Sequence, residues 1–572
     1  MQVALGRKTA DLAVVNGRLL NVYTGEVLDG QAVCTAGAWI AYVGKNTAGK
    51  IGPHTEVIDA DGRMLVPGLI DGHTHLAWLC GVAASLEPLM AGGTTAIVTE
   101  ILEVYPVAGL AGVNHFLDAL ADQPIKIFAT APFMASISRR TRGIAPTDLD
   151  ALLSRPEVVG LGESYWQAVL QEPEPAAVLL QKALEAGKTL EGHTAGARGD
   201  KLAAYLAAGI SSCHEPITAA EVLERLRLGL CVMIREGSIR RDLDAIAAVK
   251  DAGIDTRRLV LVTDGLSPRD LIDKGGMEYV VRKAVAHGFD PIAAVQMATL
   301  NVAEHFRLDA LIGGIAPGRL ADMLLVADLR AFRVDTVVSN GRVIARHGRR
   351  FVRARPHHYP PACRTTVRLP CAFTPADFRI AAAGKTRVQV RVIEMVTDLV
   401  TREKLLELPS PDGRIDADPG RDLLKVAAVD RTHVPGRCFV GLIAGFGLKT
   451  GALACSAAWD TSDIIVAGAA DGDMAVALNR IRTLQGGAVV VADGAVIAEL
   501  PLPVFGLMCE EPLEVVAAKS AAVTAAANRL GCPFPDPVLT LVTLTGAAIP
   551  YLRICEEGLV NLKSGRTVGL FV

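Results

Sequence analysis

Between residues 67 and 314 the chain alternates two signals with a short period. Brief apolar runs (TTAIV, PIKIFATAP, VVGLGE, GISSCHE, LCVMIRE, LVLVTD) are separated by helix-like stretches (DLDALLS, PAAVLLQKALEAG, GDKLAAYLAAG, AAEVLERLRLG, MEYVVRKAVAHG). Strand then helix, repeated over about 250 residues, predicts a (β/α)8 barrel. A doubly wound sheet is the structural alternative, but no Gly-x-Gly-x-x-Gly opens a helix here.

The flanks read differently. Residues 11–66 hold short β-rich runs (DLAVVNGRLL, QAVCTAG, WIAYVG, EVIDADGRMLVPG) punctuated by Gly, Asn and Asp. A similar run returns at 320–346, and VVNGR at 14–18 is echoed by VSNGR at 338–342, each an expected Asn-Gly hairpin. The simplest organisation is one small β-sandwich-like domain made of 1–66 and 315–350, with the barrel of 67–314 inserted into it. An Arg- and Pro-rich linker follows at 351–375. A third domain of mixed α/β character occupies 376–572, with strands expected at VQVRVI, LLKVAAV, GALACSAA, DIIVAGA and GAVVVADG.

Composition narrows the setting. A chain of 572 residues is too long for one core, and 51% hydrophobic with 21% charged residues describes a globular protein. A net charge of -3 gives no electrostatic case for nucleic acid or an anionic membrane. No run of about 20 uncharged apolar residues is present, so no membrane span is expected. The N-terminal MQVALGRKTADLAVVNGRLL lacks the apolar core and cleavage site of a signal peptide. The 11 cysteines are scattered without a Cys-x-x-Cys pair, as reduced thiols of a cytoplasmic protein would be. A homodimer or homotetramer is expected of such an apolar, multidomain chain.

The stretch GLIDGHTHLAW (68–78) places His73 and His75 two residues apart at the end of an apolar run. In a strand, residues i and i+2 face the same side, so two imidazoles here can grip one cation. The bland alternative is two polar residues in a turn. Other strand ends favour the first reading: Glu163 follows VVGLG, His193 follows KTLEG, His214 and Glu215 follow GISSC, and Asp264 follows LVLVT. In a barrel these ends converge on one mouth. The set suits two divalent cations, one on His73 and His75, the other on His193 and His214, bridged by Glu163. Imidazole with carboxylate accommodates Zn, Fe or Mn without choosing among them. Two such cations lower the pKa of a bound water. Asp264 is placed to touch one metal and to carry a proton to a leaving group. That is machinery for hydrolysing a polarised carbon–nitrogen bond.

PGLIDGHTH, GLGE, EGHTAG, SSCHE and LVTD, in this order, resemble the amidohydrolase superfamily. More narrowly the chain resembles the adenine deaminase family. The matching stretches are 192–238, 277–306, GGIAPGRLADMLLV (313–326) and, in the tail, GLIAGFGLKTGALACS, GDMAVALNRI, GGAVVVADG, AELPLPVFGLM and EEPLEVVAAK. The resemblance covers nearly the whole chain. It implies a hydrolase of carbon–nitrogen bonds in cyclic amidines, turning adenine and water into hypoxanthine and ammonia. It also implies a binuclear site of His73, His75, Glu163, His193, His214 and Asp264. Glu163 stands where the superfamily often uses a carboxylated Lys. The implied substrate is a purine base or similar small heterocycle.

Four loops depart from the family pattern. TEILE (99–103) stands where Thr-Asp-Pro-His-Glu is usual, and Glu163-Ser164-Tyr165-Trp166 where Glu-Val-Met is usual. Asp264-Gly265-Leu266-Ser267 replaces Asp-Asp-Arg-His, and Ala458 to Asp463 (AWDTSD) replaces Ala-His-Asp-Ser-His-Asn. Loss of an auxiliary metal or proton-relay site explains this. So does another cyclic amidine or amide as substrate, or drift in loops that touch nothing. A non-catalytic relative is the reading from another class, but it has no need for six retained ligand positions. The departures bring in Tyr165, Trp166 and Trp459, pointing to a larger or more aromatic pocket, and Trp78, Trp166 and Trp459 are candidate substrate contacts. Arg235 and Glu236 are candidates to read ring nitrogens, or equally to form a structural salt bridge. Lys449 and Asp460 are candidates to project from the third domain over the barrel mouth.

Overall fold

The structure, a computed structural model, describes residues 1–133, 137–140, 143–382 and 384–572. Its centre is a parallel barrel of eight strands: β1 (Leu69–His75), β2 (Thr94–Glu100), β3 (Lys126–Ala131), β4 (Val158–Tyr165), β5 (Thr189–His193), β6 (Ser212–Cys213), β7 (Cys231–Arg235) and β8 (Leu259–Val262). β1 to β5 form one ladder and β6 to β8 another. Two seams join them. Ser211 N donates to Leu190 O at 2.9 Å, and Asp264 N donates to His73 O at 2.9 Å. The second seam is reinforced by Asp71, whose carboxylate accepts from Thr263 N (3.1 Å) and Thr263 Oγ1 (2.5 Å). The β1–β8 closure therefore fixes Asp264 against His73.

The strands hold because both faces are apolar. Ile70, Ala96, Val98, Val159, Met233, Val260 and Val262 fill the barrel interior, while the surrounding helices bury leucines and valines on its outside. Such two-sided burial explains why the strands read as continuous apolar runs.

A nine-stranded sheet collects strands from before and after the barrel. Met64–Pro67 pairs antiparallel with Met323–Val326 and parallel with Leu12–Asn21. Its core is Leu12, Val14, Val33, Ile40, Leu65, Leu325 and Val338. The two expected Asn-Gly hairpins part company here. Asn340 and Gly341, both with positive φ, turn Val334–Ser339 back into Arg342–Arg346. Asn16 and Gly17 instead lie inside the strand Leu12–Asn21, where the register shifts on either side of Gly17. This is a bulge, not a turn. A Cβ on Gly17 would stand 2.4 Å from the Leu65 side chain, so any other residue there would have to displace Leu65.

The segment after the barrel packs as an irregular strap. Arg355 N donates to Gln123 Oε1 at 2.8 Å, and its guanidinium to Ala121 O at 2.7 Å. Beyond it, an eight-stranded mixed sheet carries the helix Asp471–Leu484 on one face. This unit meets the barrel mouth, where Met508–Cys509 adds a parallel bridge to Leu79–Cys80. No helix among the described residues is long and apolar enough to cross a membrane. None of the cysteines is paired.

Candidate active site

The C-terminal ends of β1, β4, β5, β6 and β8 bring six side chains to one point. His73, His75, Glu163 and Asp264 each offer a ligand atom, all within 4.8 Å of one another, and Glu163, His193 and His214 form a second such group. Glu163 belongs to both. Its Oε1 lies 3.4 Å from His73 Nε2 and 3.4 Å from His75 Nε2, and its Oε2 lies 3.5 Å from His193 Nε2. Asp264 Oδ1 stands 3.2 Å from His73 Nε2 and 3.3 Å from His75 Nε2.

The backbone is bent to aim these carboxylates. Glu163 has φ 21° and Asp264 φ 55°, both left-handed values that non-glycine residues seldom adopt. Glu163 sits where the β4–β5 register shifts between Leu161 and Ser164. Such a bulge redirects a side chain out of the regular alternation.

A second ring of carboxylates stands behind the imidazoles. Glu103 Oε1 lies 2.5 Å from His75 Nδ1, and Glu215 Oε1 lies 2.7 Å from His193 Nδ1. Glu103 hydrogen-bonds the outer nitrogen of His75, so its Nε2 faces inward, whereas Glu215 Oε1 also lies 3.0 Å from His214 Nε2. Glu100 lies behind His73, 3.6 Å from its Nδ1, in space left open by Gly162. Glu100 and Glu103 belong to the TEILE loop, one of the four departures. Neither is singled out by the sequence, where TEILE stands only as a departure from the family pattern; a carboxylate closing the β2 run is the signal that could have found Glu100.

This crowd of buried carboxylates calls for positive charge. Burial disfavours imidazolium, yet Asp264 and Glu163 overcome it and raise His73 to about 10. Burial is likewise overcome at His193, where Glu215 and Glu163 raise the pKa to about 10. His214 goes the other way, to about 3, through burial and despite Glu215, with His73 and His193 adding to the fall. Glu163 and Asp264 stay well below the usual carboxylate range in spite of burial, held there by the histidines. His73 Nε2 is buried with no hydrogen-bond partner. A buried donor set of imidazole Nε2 atoms and shared carboxylate oxygens fits divalent transition-metal ions.

Above these groups lies a cavity of about 330 Å³. Leu102, Ile217, Ile239, Leu399, Val400 and Ile549 supply much of its apolar wall. Trp459, from the C-terminal unit, lies nearly parallel to His75, with ring centroids 6.3 Å apart and planes at 10°. Leu102 and Trp459 belong to two different departing loops. Both face this cavity, and the His75 ring links them, resting on Glu103 and lying along Trp459.

The other candidates divide. Arg235 lines the cavity, with its guanidinium on Asp242 (2.8 Å) and 3.4 Å from Asp264 Oδ2. Asp460 also lines it, and burial, then Glu163, lifts its carboxyl to about 7. Glu236 does not line the cavity: it is turned to Lys283 at 2.9 Å, the structural ion pair. Trp166 is turned behind the wall, donating from Nε1 to Ala195 O at 2.8 Å. Trp78 is buried behind Trp459, edge to face at 6.1 Å, and does not line the cavity. Lys449 is exposed beside Pro419 O, away from the mouth.

The model of the amidohydrolase family matches residues 64–344, and that of the adenine deaminase C-terminal domain matches residues 398–566. A solved structure of molinate hydrolase overlaps 59% of this chain and 95% of its own at 17% identity, with a TM-score of 0.46. The family match over residues 64–344 makes the barrel an amidohydrolase domain. The adenine deaminase of Moorella thermoacetica is 40% identical over 99% of this chain and 97% of its own length. That of Clostridium botulinum is 34% identical over 100% and 96%. The chain belongs to the adenine deaminase family.

Proposed function

We propose that this protein hydrolyses adenine to hypoxanthine and ammonia. His73, His75 and Asp264 would hold one divalent cation, and His193 with His214 a second, with Glu163 shared between them. Such ions supply Lewis-acid charge that acidifies water and steadies negative charge on the substrate.

The chain's own groups do the rest. Water adds to C6 of the base, and the C6–N bond to the exocyclic amine breaks. Asp264 lies against both β1 histidines and has its second oxygen 3.4 Å from Arg235. It takes the proton of the attacking water and delivers it to the departing nitrogen. Despite burial, the β1 histidines and Arg235 hold its carboxyl well below the usual carboxylate range, so it is ionised. Arg235, itself tied to Asp242, limits the positions Asp264 can take. Glu103 keeps His75 in one orientation, and Glu215 supplies negative charge beside His193 and His214. The apolar wall excludes bulk water, and the Trp459 indole offers a flat face to a bicyclic base.

The observation that carries this reading is Glu163 at the meeting of two donor groups, in a chain matched end to end by curated adenine deaminases. The unpaired cysteines support a reducing, cytoplasmic setting. The test is adenine turnover, read as ammonia release, with protein reconstituted in Mn(II), Fe(II) or Zn(II) beside Asp264→Asn. Metal-dependent turnover lost in the variant is expected. Bound metal without turnover in any form would contradict adenine as substrate. It would favour another cyclic amidine or amide, the reading that Leu102 and Trp459 in the cavity wall support.

A further inference from the structure

Glu163 has a neighbour that the reaction as described does not use. The Tyr165 hydroxyl lies 3.1 Å from Glu163 Oε2 and 2.7 Å from Asp460 Oδ1, so its single proton is shared between two carboxylates. Tyr165 is 2% exposed. Its ring packs against His193 at a centroid distance of 4.9 Å. It stands where the family pattern has Met, which has no proton to offer.

Asp460 comes from the C-terminal unit, 295 positions further along the chain, and is itself fixed on three sides. Its Oδ2 accepts from Ala547 N at 2.7 Å. Its carbonyl accepts from Ile137 N, on the loop after β3, at 2.6 Å. Its backbone is left-handed, with φ 53°. Glu163, by contrast, sits in a bulge at φ 21°. Its carboxylate is otherwise met by histidine nitrogens at 3.4–4.0 Å, all longer than the tyrosine contact.

We propose that Tyr165 is a positioning residue: its hydroxyl, anchored on Asp460, sets the Glu163 carboxylate in place and makes the C-terminal unit part of the ligand-holding site. This rests on the reading of Glu163 as the shared ligand. The hydroxyl does not reach the reacting atoms. It acts through Glu163, as a carboxylate behind a ligating histidine acts through the ring.

Tyr165→Phe removes the hydroxyl and keeps the ring packing on His193. The experiment measures kcat, KM and the time course of metal loss to a chelator for wild type, Tyr165→Phe, Asp460→Asn and the double variant, with thermal unfolding as the check on folding. Tyr165→Phe should unfold within a few degrees of wild type and lose metal about 10- to 100-fold faster, the scale for residues that support a ligand. Its kcat should fall by a similar factor with KM changed less than about threefold. Asp460→Asn should do the same, and the double variant no more than either, because both break one link. Wild-type retention in folded Tyr165→Phe, or losses that multiply in the double variant, would overturn the proposal. Metal retention needs no substrate, so it decides the brace even if wild type leaves adenine untouched, a result that would count against the adenine reading alone.

Discussion

The barrel carries a buried polar cluster at each end, and the two are built on opposite principles. At the N-terminal end, Lys126 opens β3 and meets Asp322 of the β domain. Its ammonium also donates to Ser339 Oγ at 3.1 Å and Asn340 Oδ1 at 3.2 Å. One cation meets one anion, and neutral acceptors complete the set. At the C-terminal end, Glu100, Glu103, Glu163, Glu215 and Asp264 crowd around four imidazoles and Arg235. Charge there balances only when the histidines take protons or when cations enter. A cluster satisfied by its own residues is a joint. A cluster that needs charge from outside is a site.

That contrast is open to direct attack. The largest effect belongs to Glu163→Gln, which removes the shared charge from both donor groups. Turnover should fall about 10³-fold or more, and bound metal should drop sharply, with unfolding in the metal-free state little changed. Asp264→Asn should lower kcat by about 10²- to 10⁴-fold through loss of the proton carrier, while retaining more metal than Glu163→Gln. Lys126→Met strikes the other end. It strands a buried Asp322 and should cost about 3–5 kcal/mol of stability, with kcat and metal content per folded molecule unchanged. Equal loss of metal at both ends would erase the distinction between joint and site.

Smaller effects sharpen it. Trp459→Ala should raise KM for adenine about 5- to 10-fold, the scale of an aromatic contact worth about 1 kcal/mol, with kcat within a few-fold. The pH dependence separates protons from metal. His73 and His193 stand near 10 in the folded protein against an ordinary 6.5. Their raised values stabilise the metal-free fold fully below about pH 6.5, and that contribution is lost as pH rises through about 10. The melting temperature of the metal-free protein should therefore fall across that window. Metal binding near pH 7 should release protons, seen as acidification in weak buffer, and apparent affinity should rise with pH.

The same contrast explains what the sequence could reveal. A parallel strand buried on both faces leaves a continuous apolar run, so a polar residue closing it stands out. His73, His75, Glu163, His193, His214 and Asp264 are legible for that reason. Glu100 and Glu103 are not singled out, and only the fold shows that they lie behind histidines. Trp166 and Glu236 follow strands too, yet the chain has already turned outward at each. Direction after a strand end depends on the local backbone, which residue type does not report. Asp460 was a candidate at the mouth, but its contact with Tyr165 was out of reach for another cause: it spans two units and nearly 300 positions. In the C-terminal sheet the strand Thr401–Pro409, TREKLLELP, is an edge with charged residues facing solvent, so its apolar alternation is weak. Asn16-Gly17 shows the limit of a turn signal, since a left-handed Asn before Gly serves a bulge as well as a hairpin.

The measurement that reaches the central claim most directly is metal content per chain in wild type and Glu163→Gln, taken beside adenine turnover on the same samples. About two ions per wild-type chain, few in the variant, and turnover that tracks the ions is the predicted result, in line with the paired-ion hydrolases. Turnover that persists without metal, or metal content unchanged in the variant, would contradict the shared-ligand site.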